Sequence, residues 1–352
     1  MSVRRVLVLY TGGTIGMAQG PRGWVPAPGL LVRELRRSRA FHVEGQPDLT
    51  LPTDIDGLVV RYTVREYPSL LDSANMGPAD WVGIANDIAA HDAETDAFVV
   101  LHGTDTMAYT ASALSFMLEG LSKPVIFTGS QIPFMRVRND ATANLLGALT
   151  LASRADIPEV GLYFRDSLLR GNRATKVDAS GLDAFASGNL RPLARVGVDV
   201  TVDRDLVRPP GTGPVRVVPI TQPLVACFRW FPGLTPHTLD AMLQAPLQGV
   251  VLQTFGAGNA PDNQPELLGV LRKATDAGLV LTHVTQCLRG TVRDDYAGGR
   301  ALADAGVIGG LDMTAEAALT KLMWLLSQPH LTRADVRRLF ATDLRGELGA
   351  PQ

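Results

Sequence analysis

Short hydrophobic runs recur along the first half of the chain, with amphipathic segments between them. Such runs are typical of strands buried on both faces, and the segments between them repeat their apolar residues with helical period. Strands are predicted at Val6–Leu9, Leu58–Val64, Ala97–Leu101, Val125–Thr128 and Val160–Phe164. Helices are predicted at Leu30–Arg39, Pro78–His91, Ala108–Glu119 and Asp140–Arg154. Strands that alternate with helices predict a parallel sheet covered on both faces.

The alternation resumes on a smaller scale after a change of composition between residues 203 and 219. Pro209-Pro210-Gly211-Thr212-Gly213-Pro214 can propagate neither a helix nor a central strand, so it predicts a linker. Further strands are predicted near Leu224–Phe228, Gly249–Thr254 and Leu279–Val284, and helices near Thr235–Leu243, Gln264–Ala277, Thr314–Leu326 and Arg333–Phe340. The predicted fold is α/β with two domains. A larger N-terminal parallel-type sheet with flanking helices occupies residues 1–203, a linker 204–218, and a smaller C-terminal α/β domain 219–352.

Composition narrows the class of protein without identifying its chemistry. The 352 residues are 46% hydrophobic and 19% charged, as in ordinary globular proteins. A formal net charge of −2 gives no reason to expect nucleic acid or an anionic membrane as a partner. Cys227 and Cys287 form neither a disulfide framework nor a metal-binding spacing. The apolar run after Arg5 is too short for a signal peptide, and no stretch approaches the roughly 20 apolar residues of a membrane span, so a cytoplasmic location is expected.

Two loops rich in glycine and threonine follow predicted strands. Tyr10-Thr11-Gly12-Gly13-Thr14-Ile15-Gly16 comes after Val6–Leu9, and His102-Gly103-Thr104-Asp105-Thr106-Met107 comes after Ala97–Leu101. Ligands of open α/β sheets bind beyond the carboxyl ends of strands, so the loops predict one cleft for a small polar molecule. Threonine is a weak nucleophile unless a neighbouring group removes its proton, and Asp105 supplies a carboxylate there.

Familiar cofactor motifs are missing from the sequence. There is no Gly-x-x-x-x-Gly-Lys-Ser/Thr phosphate loop, no Gly-x-Ser-x-Gly elbow and no His-Glu-x-x-His. The first loop lacks the Gly-x-Gly-x-x-Gly spacing of dinucleotide sites, and the histidines are scattered. We therefore expect chemistry without a metal or an organic cofactor, carried by hydroxyls, carboxylates and a lysine.

Each candidate residue also has a purely structural interpretation. Thr14 can be only a helix N-cap or a turn threonine, and Asp105 can be only an N-cap for the helix from Ala108. His102 is interpreted as structural, because its neighbours explain the loop better. Lys176, taken alone, is a surface lysine, and Cys287 can be a packing thiol.

Considered together, the segments Thr11–Gly16 and His102–Met107 resemble the paired signatures of the L-asparaginase family. The chain is similar to the type I, cytoplasmic branch along almost its whole length. Further matching stretches are Leu71-Asp72-Ser73, Ala108–Leu114, Gly129-Ser130-Gln131-Ile132-Pro133, Arg170–Lys176, Gly256–Pro261, Thr285-Gln286-Cys287 and Ala305–Gly310. Because both signature loops occur in order and at the right spacing, the match is specific.

The resemblance implies a role for each matching side chain. Thr14 attacks the side-chain amide carbon of the substrate and becomes acylated. Thr104, Asp105 and Lys176 form a hydrogen-bonded set that moves protons and positions water. Ser73, with Asp105, holds the α-carboxylate and α-amino groups. The substrate-binding group that the resemblance implies consists of Ser73, Ala74, Asp72 and Trp24.

Two positions depart from the family pattern. The family has a catalytic tyrosine in the mobile segment after the first loop, where this chain has Trp24, whose indole lacks an ionisable hydroxyl. Some type I members bind asparagine at an allosteric site that uses an arginine and a segment matching Thr285-Gln286-Cys287. Here the arginine position holds Gln253. An α-carboxylate loses its charged bidentate partner there, so we expect weak or absent homotropic regulation.

The resulting hypothesis is an amidohydrolase that converts L-asparagine to L-aspartate and ammonia through an acyl-threonine intermediate. Its partner is the small-molecule substrate, and it is expected to be a homodimer or homotetramer. Pocket fit alone disfavours L-glutamine by only about 1–3 kcal/mol. The alternatives are a non-catalytic or weakly active amino-acid sensor, and a related hydrolase, lysophospholipase-like protein or tRNA-dependent amidotransferase. Retention of Thr14, Asp105 and Lys176 disfavours the sensor, and the lack of a basic surface disfavours the transferase.

Overall fold

Backbone proximity divides the chain into two compact units. One contains the residues up to 186 together with 192–218, and the other contains 187–191 together with the residues from 219 onward. The computed structural model describes residues 2–21, 23–52 and 58–349. The predicted class, α/β with a larger N-terminal sheet and a smaller C-terminal one, is confirmed.

A large mixed sheet forms the centre of the N-terminal unit. The strands of this unit are β1 (Ser2–Gly12), β2 (Met17–Gly20), β3 (Gly23–Pro26), β4 (Leu49–Thr50), β5 (Leu58–Leu71), β6 (Ala97–Leu101), β7 (Leu118–Glu119), β8 (Val125–Thr128), β9 (Val160–Phe164), β10 (Ser167–Arg170), β11 (Thr175–Lys176), β12 (Phe185–Ala186), β13 (Ala194–Val196), β14 (Val200–Val202) and β15 (Arg216–Val217). The large sheet has the order β14-β13-β10-β9-β8-β6-β1-β5-β4. Its central strands β5, β1, β6, β8 and β9 are parallel. The strands at both edges pair antiparallel.

Helices cover the parallel strands because those strands are apolar on both faces. The helices of this unit are α1 (Leu30–Arg37), α2 (Pro78–His91), α3 (Met107–Met117) and α4 (Ala141–Arg154). Every residue of β6 and β8 is buried. Helix α4 packs against β1, β6 and β8, and α3 packs against β8 and β9. Burial on both sides explains why these strands are continuous hydrophobic runs.

The predicted central elements are confirmed, whereas short edge elements were missed. Strands β6, β8 and β9 and helix α2 have the predicted bounds. The hairpin of β2 and β3 and the antiparallel strands β10, β13 and β14 had not been predicted. These strands are short or partly exposed, so they carry too few apolar residues to produce a strand pattern.

Residues 204–218, predicted to be a linker, are bonded to the N-terminal unit. Strand β15 pairs with β7, and the Gly211 N–H donates to the Leu121 carbonyl at 2.8 Å. The Arg208 N–H donates to Glu159 Oε1 at 2.8 Å, and Glu159 forms a buried ion pair with Arg170 at 2.6 Å. A Pro/Gly-rich composition excludes a long element here, but it does not exclude pairing with a neighbouring edge.

The C-terminal unit has a small parallel sheet of order β16-β17-β18-β19. Its strands are β16 (Val225–Arg229), β17 (Gly249–Thr254), β18 (Val280–Thr285) and β19 (Ile308–Gly309). Its helices are α5 (Pro236–Met242), α6 (Pro265–Asp276), α7 (Ala297–Asp304), α8 (Ala315–Leu326) and α9 (Arg333–Phe340). Side-chain oxygens of Thr235, Thr314 and Thr332 accept hydrogen bonds at the starts of α5, α8 and α9, which explains where these helices begin. Across the described ranges, no helix has both the length and the apolar character needed to cross a membrane.

Candidate active site

Four neighbouring parallel strands of the N-terminal sheet, β5, β1, β6 and β8, end at the same edge. Backbone and side-chain hydrogen bonds tie their ends together. The Gly13 N–H donates to the Leu71 carbonyl at 3.1 Å, and Thr11 Oγ1 donates to the Leu101 carbonyl at 2.9 Å. The His102 N–H donates to the Thr128 carbonyl at 3.0 Å. The loops after these strands therefore share one edge of the sheet, where open α/β proteins bind ligands.

Glycines allow the loops to touch. Gly13 has a φ of 84°, a conformation that side chains disfavour, and a Cβ there would lie 2.5 Å from the Gly103 Cα. A Cβ on Gly103 would lie 2.5 Å from Ser73 Oγ. The loop after β1 thus rests on the loop after β6, which in turn rests on the turn after β5. Any side chain at either glycine separates these loops.

Thr14 follows the contact glycine directly. It is half-buried and begins a short 3₁₀ turn, Thr14–Gly16, whose N-cap position is Gly13. The Ile15 carbonyl accepts a hydrogen bond of 3.0 Å from the Phe134 N–H, which fixes the turn to the loop after β8. Because Gly13 occupies the N-cap position, Thr14 is not an N-cap, but it does lie in a turn, as its structural interpretation also allows.

Lys176 joins the two candidate residues of the second loop. Its Nζ donates to Thr104 Oγ1 at 2.9 Å and to Asp105 Oδ1 at 2.6 Å. The Lys176 side chain is 18% exposed and the Asp105 side chain 62% exposed, so the ammonium is mostly enclosed while the carboxylate faces outward. The N-cap of α3 is Thr106, not Asp105. The surface interpretation of Lys176 and the N-cap interpretation of Asp105 are therefore both wrong.

The turn after β5 carries the other predicted binding residues. Asp72 caps the 3₁₀ turn Ser73–Asn75, and its Oδ1 accepts a hydrogen bond from the Ala74 N–H at 3.1 Å. The Ser73 carbonyl accepts from Thr106 Oγ1 at 2.8 Å, which ties this turn to the second loop. Ser73 Oγ and Ser130 Oγ are buried and have no hydrogen-bond partner within the described chain. Buried hydroxyls without partners are rare, so these two favour a polar ligand at this edge.

His102 supports the second loop from its buried side. It is fully buried; its Nδ1 lies 2.7 Å from the Gly103 carbonyl and its Nε2 lies 2.9 Å from Thr110 Oγ1. Because a carbonyl only accepts, the network assigns the proton to Nδ1 and lets Nε2 accept from Thr110. Burial lowers the pKa of His102 from 6.5 to about 4, so the imidazole is neutral at physiological pH. The predicted structural role of His102 stays a prediction that this geometry supports.

Trp24 lies on the hairpin that directly follows the Thr14 turn. In the hairpin, β2 pairs with β3 and Gln19 lies opposite Trp24. The indole is 38% exposed, and the guanidinium carbon of Arg136 lies 5.8 Å from its ring centroid. This distance is within the range of a cation–π contact. Trp24 is thus held beside the loop after β8.

Gln131 and Asp140 are polar residues of this edge that sequence reasoning did not single out. Gln131 Oε1 accepts from Thr104 Oγ1 at 3.1 Å, and Asp140 accepts from the backbone N–H groups of Gln131 and Ile132, each at 2.9 Å. A signal was available for Gln131, since it lies in the polar loop that follows the predicted strand Val125–Thr128, whereas Asp140 belongs to the predicted helix Asp140–Arg154 and is the N-cap of α4. The argument from strand ends applies to this loop as it does to the other two.

The predicted allosteric residues lie together in the C-terminal unit, at the carboxyl ends of β17 and β18. Gln286 Nε2 donates to the Gln253 carbonyl at 2.8 Å, and Thr285 Oγ1 donates to the Gly256 carbonyl at 2.6 Å. The Cys287 N–H donates to Thr285 Oγ1 at 3.0 Å. The Gln253 amide faces Cys227 Sγ at 3.4 Å. Cys287 is exposed, so the alternative of a buried packing thiol is wrong.

Among the described residues, no group of three His, Cys, Asp or Glu side chains is arranged to hold a metal ion. The polar groups at the strand ends are instead hydroxyls, one lysine, carboxylates and backbone N–H groups. Such groups bind and polarise a small substrate through hydrogen bonds.

Family models match both units. A model described as "Asparaginase, N-terminal" matches residues 5–208, and one described as "Glutaminase/Asparaginase C-terminal domain" matches residues 224–340. The chain is 46% identical over 349 residues to L-asparaginase 1 of Escherichia coli (strain K12), covering 99% of each protein. It superposes on the crystal structure of L-asparaginase I from Vibrio cholerae with a TM-score of 0.87 at 44% identity, covering 99% of this chain and 100% of that one.

A third relative is longer than this chain. The match to a 60 kDa lysophospholipase of Mus musculus is 47% identical over 357 residues. It covers 99% of this chain but only 63% of the mouse protein, so the chain spans less than two thirds of that relative's length.

The neutral state of His102 predicts a pH dependence of stability. The pKa is about 4 when folded and 6.5 ordinarily, so between these values the unfolded chain binds the proton that the folded chain excludes. The contribution of neutral His102 to the free energy of unfolding is therefore complete above pH 6.5 and is lost as the pH falls towards 4. We expect His102→Asn to reduce the slope of unfolding free energy against pH by up to about 1.4 kcal/mol per pH unit in this window.

Urea unfolding at a series of pH values measures this slope. The matched control is His330→Asn, which makes the same change at an exposed histidine. An equal decrease of the slope in both variants contradicts the assignment to His102.

Proposed function

This chain belongs to the asparaginase family, and we propose that it hydrolyses the side-chain amide of L-asparagine to give L-aspartate and ammonia. One observation carries the proposal: Lys176 contacts both Thr104 and Asp105 at the strand edge that holds Thr14. A hydroxyl, a cation and a carboxylate in contact form a set of groups suited to carry protons to and from a threonine nucleophile.

Thr14 is the proposed nucleophile. Its oxygen attacks the amide carbon, its proton passes to the leaving nitrogen, and the carbon–nitrogen bond breaks to release ammonia. An ester between Thr14 and the aspartyl group remains, and water hydrolyses it to regenerate the hydroxyl. Backbone N–H groups of the two glycine-bounded loops are suited to stabilise the oxyanion in both steps.

The Lys176 ion pair gives the second loop its proposed chemistry. The ammonium donates to the Thr104 hydroxyl and neutralises part of the Asp105 charge, so the three groups act as one polar unit. Positioned acid–base groups of this kind typically contribute about 10²–10⁴-fold to a rate. Thr104 is the member of the unit proposed to orient the hydrolytic water.

Substrate recognition is proposed to use the exposed carboxylate and the unpartnered hydroxyl. Lys176 binds Asp105 Oδ1, and we assign Oδ2 to the α-ammonium group of asparagine. Ser73 Oγ, in the first residue of the turn Ser73–Asn75, is assigned to the α-carboxylate. Asp72 acts indirectly, because its carboxylate caps this turn. Trp24 closes the site by packing.

The family resemblance also supports a homo-oligomer, either a dimer or a tetramer, and a cytoplasmic location. Both are proposals that rest on the likeness to the type I branch.

The direct test is ammonia release from L-asparagine and L-glutamine by the wild type, by Thr14→Ala and by Thr201→Ala. We expect Thr14→Ala to lose at least about 10³-fold in kcat, since removal of a nucleophile leaves only residual catalysis by the rest of the site. Thr201→Ala makes the same change at an exposed threonine of β14 and should retain full activity. Acid quenching and mass spectrometry should find the acyl group on Thr14.

Two outcomes contradict this assignment. Ammonia release by Thr14→Ala at the wild-type rate excludes Thr14 as the nucleophile. Fatty-acid release from lysophosphatidylcholine, without ammonia release from either amino acid, favours the activity named for the mouse relative.

Trp24→Tyr tests the departure at the hairpin. The indole of Trp24 cannot exchange a proton as a phenol does. We therefore expect the wild type to be active, but with a lower kcat than an enzyme that has tyrosine at this position. Restoring a hydroxyl should raise kcat, by up to about 10²-fold. Trp24→Phe is the control, because it removes the indole without adding a hydroxyl. If kcat and KM of Trp24→Tyr equal those of the wild type, residue 24 has no kinetic importance.

Gln253 predicts weak or absent activation by asparagine. A neutral amide binds a carboxylate less tightly than a guanidinium, which makes two charged hydrogen bonds. The plot of velocity against asparagine concentration should therefore be hyperbolic for the wild type. Gln253→Arg restores the charged partner for an α-carboxylate, and it should make this plot sigmoidal. A strongly sigmoidal wild-type curve contradicts the prediction.

A further inference from the structure

The backbone around Gln131 is fixed by a buried carboxylate. Gln131 lies in the loop between β8 and α4, and its N–H donates to Asp140 Oδ2 at 2.9 Å, while the Ile132 N–H donates to Oδ1 at 2.9 Å. Asp140 is only 8% exposed, and Asn144 Nδ2 also donates to its Oδ2, at 3.2 Å. The Gln131 side chain therefore extends from a constrained backbone.

The side-chain amide of Gln131 is engaged at both ends. Its Nε2 donates to the Gly181 carbonyl at 3.1 Å, and its Oε1 accepts from Thr104 Oγ1 at 3.1 Å. Asp178 Oδ1 holds the backbone of the same turn by accepting from the N–H groups of Ser180 and Gly181, at 2.7 and 2.8 Å. Because a carbonyl only accepts, the Gly181 contact orients the amide and turns its oxygen towards Thr104.

This orientation decides the direction of the hydrogen bonds at Thr104. A hydroxyl has one proton, and here that proton is donated to Gln131. Thr104 Oγ1 is then left to accept from Lys176 Nζ, which lies 2.9 Å away. The donors follow one direction, from Lys176 to Thr104, from Thr104 to Gln131, and from Gln131 to Gly181.

We propose that Gln131 is a positioning residue for the amide hydrolysis, an inference that rests on the function proposed above. Its amide holds the Thr104 hydroxyl with a lone pair towards Lys176 before substrate binds, so no reorientation of Thr104 is needed during the reaction. In this assignment Gln131 acts on rate through Thr104. Ser73 and Asp105, the groups assigned to the amino-acid backbone of the substrate, keep their places without it.

Two substitutions separate positioning from packing. Gln131→Met keeps the size of the side chain but removes both hydrogen bonds, and we expect kcat to fall about 10²-fold with KM for L-asparagine nearly unchanged. Gln131→Glu accepts from Thr104 in its ionised form but cannot donate to Gly181. Its protonated form does both. The kcat of Gln131→Glu relative to the wild type should therefore rise as the pH is lowered through the pKa of the new carboxyl.

The control is Gln244→Met, which makes the same change at an exposed glutamine of the C-terminal unit that donates to the Asp240 carbonyl. It should leave kcat and KM unchanged. Wild-type kcat in Gln131→Met, or a higher KM at unchanged kcat, overturns the proposal. If Gln131→Met does not fold, the pH series of Gln131→Glu is the deciding measurement. A ratio of its kcat to the wild-type kcat that does not change with pH overturns the proposal.

The failure of the proposed function is a different result. Wild-type protein that releases no ammonia from L-asparagine overturns the function, and crystal structures of the wild type and Gln131→Met then test the positioning role. We expect Thr104 Oγ1 to rotate away from Lys176 Nζ in the variant. An unchanged contact overturns the proposal for Gln131.

Discussion

The contact between Gly13 and Gly103 is the constraint on which the candidate site depends. Neighbouring parallel strands lie about 4.8 Å apart, so the loops that directly follow β1 and β6 lie side by side. They can touch only where neither carries a side chain. Thr14 and Thr104 are the residues that directly follow these two contacting glycines. The strand order β8-β6-β1-β5 then places the loops of the candidate site at one edge of the buried sheet.

The fold of the central sheet could be predicted because each of its strands is identifiable from its own residues. Ala97–Leu101 and Val125–Thr128 are buried on both faces, so their hydrophobic runs end where the strands end. Those ends then locate the functional loops. The hairpin of β2 and β3 has no such signature, because its residues are partly exposed and alternate weakly. Arg136, from the loop after β8, makes a cation–π contact with Trp24 of this hairpin, a contact that no local pattern shows.

The site itself could be predicted only in part, because local sequence patterns do not show which distant segments come into contact. Lys176 follows Thr104 by 72 residues and lies in a two-residue strand. The family resemblance pointed to it, whereas the residues alone favoured a surface lysine. Gln131 was visible in a matching stretch, yet nothing in its neighbourhood showed that its amide reaches Thr104 and Gly181. Such roles depend on tertiary distances.

The second loop crosses from the protein interior to its surface within four residues, and this explains why it needs support on both sides. His102 is fully buried, whereas the Asp105 side chain is 62% exposed. A charged imidazole in the interior would be costly, so the buried side is held by a neutral His102, which donates to the Gly103 carbonyl and accepts from the Thr110 hydroxyl. The outer side is held by the charge of Lys176. Thr104 lies between the two, where a hydroxyl can be held by neutral and charged partners together.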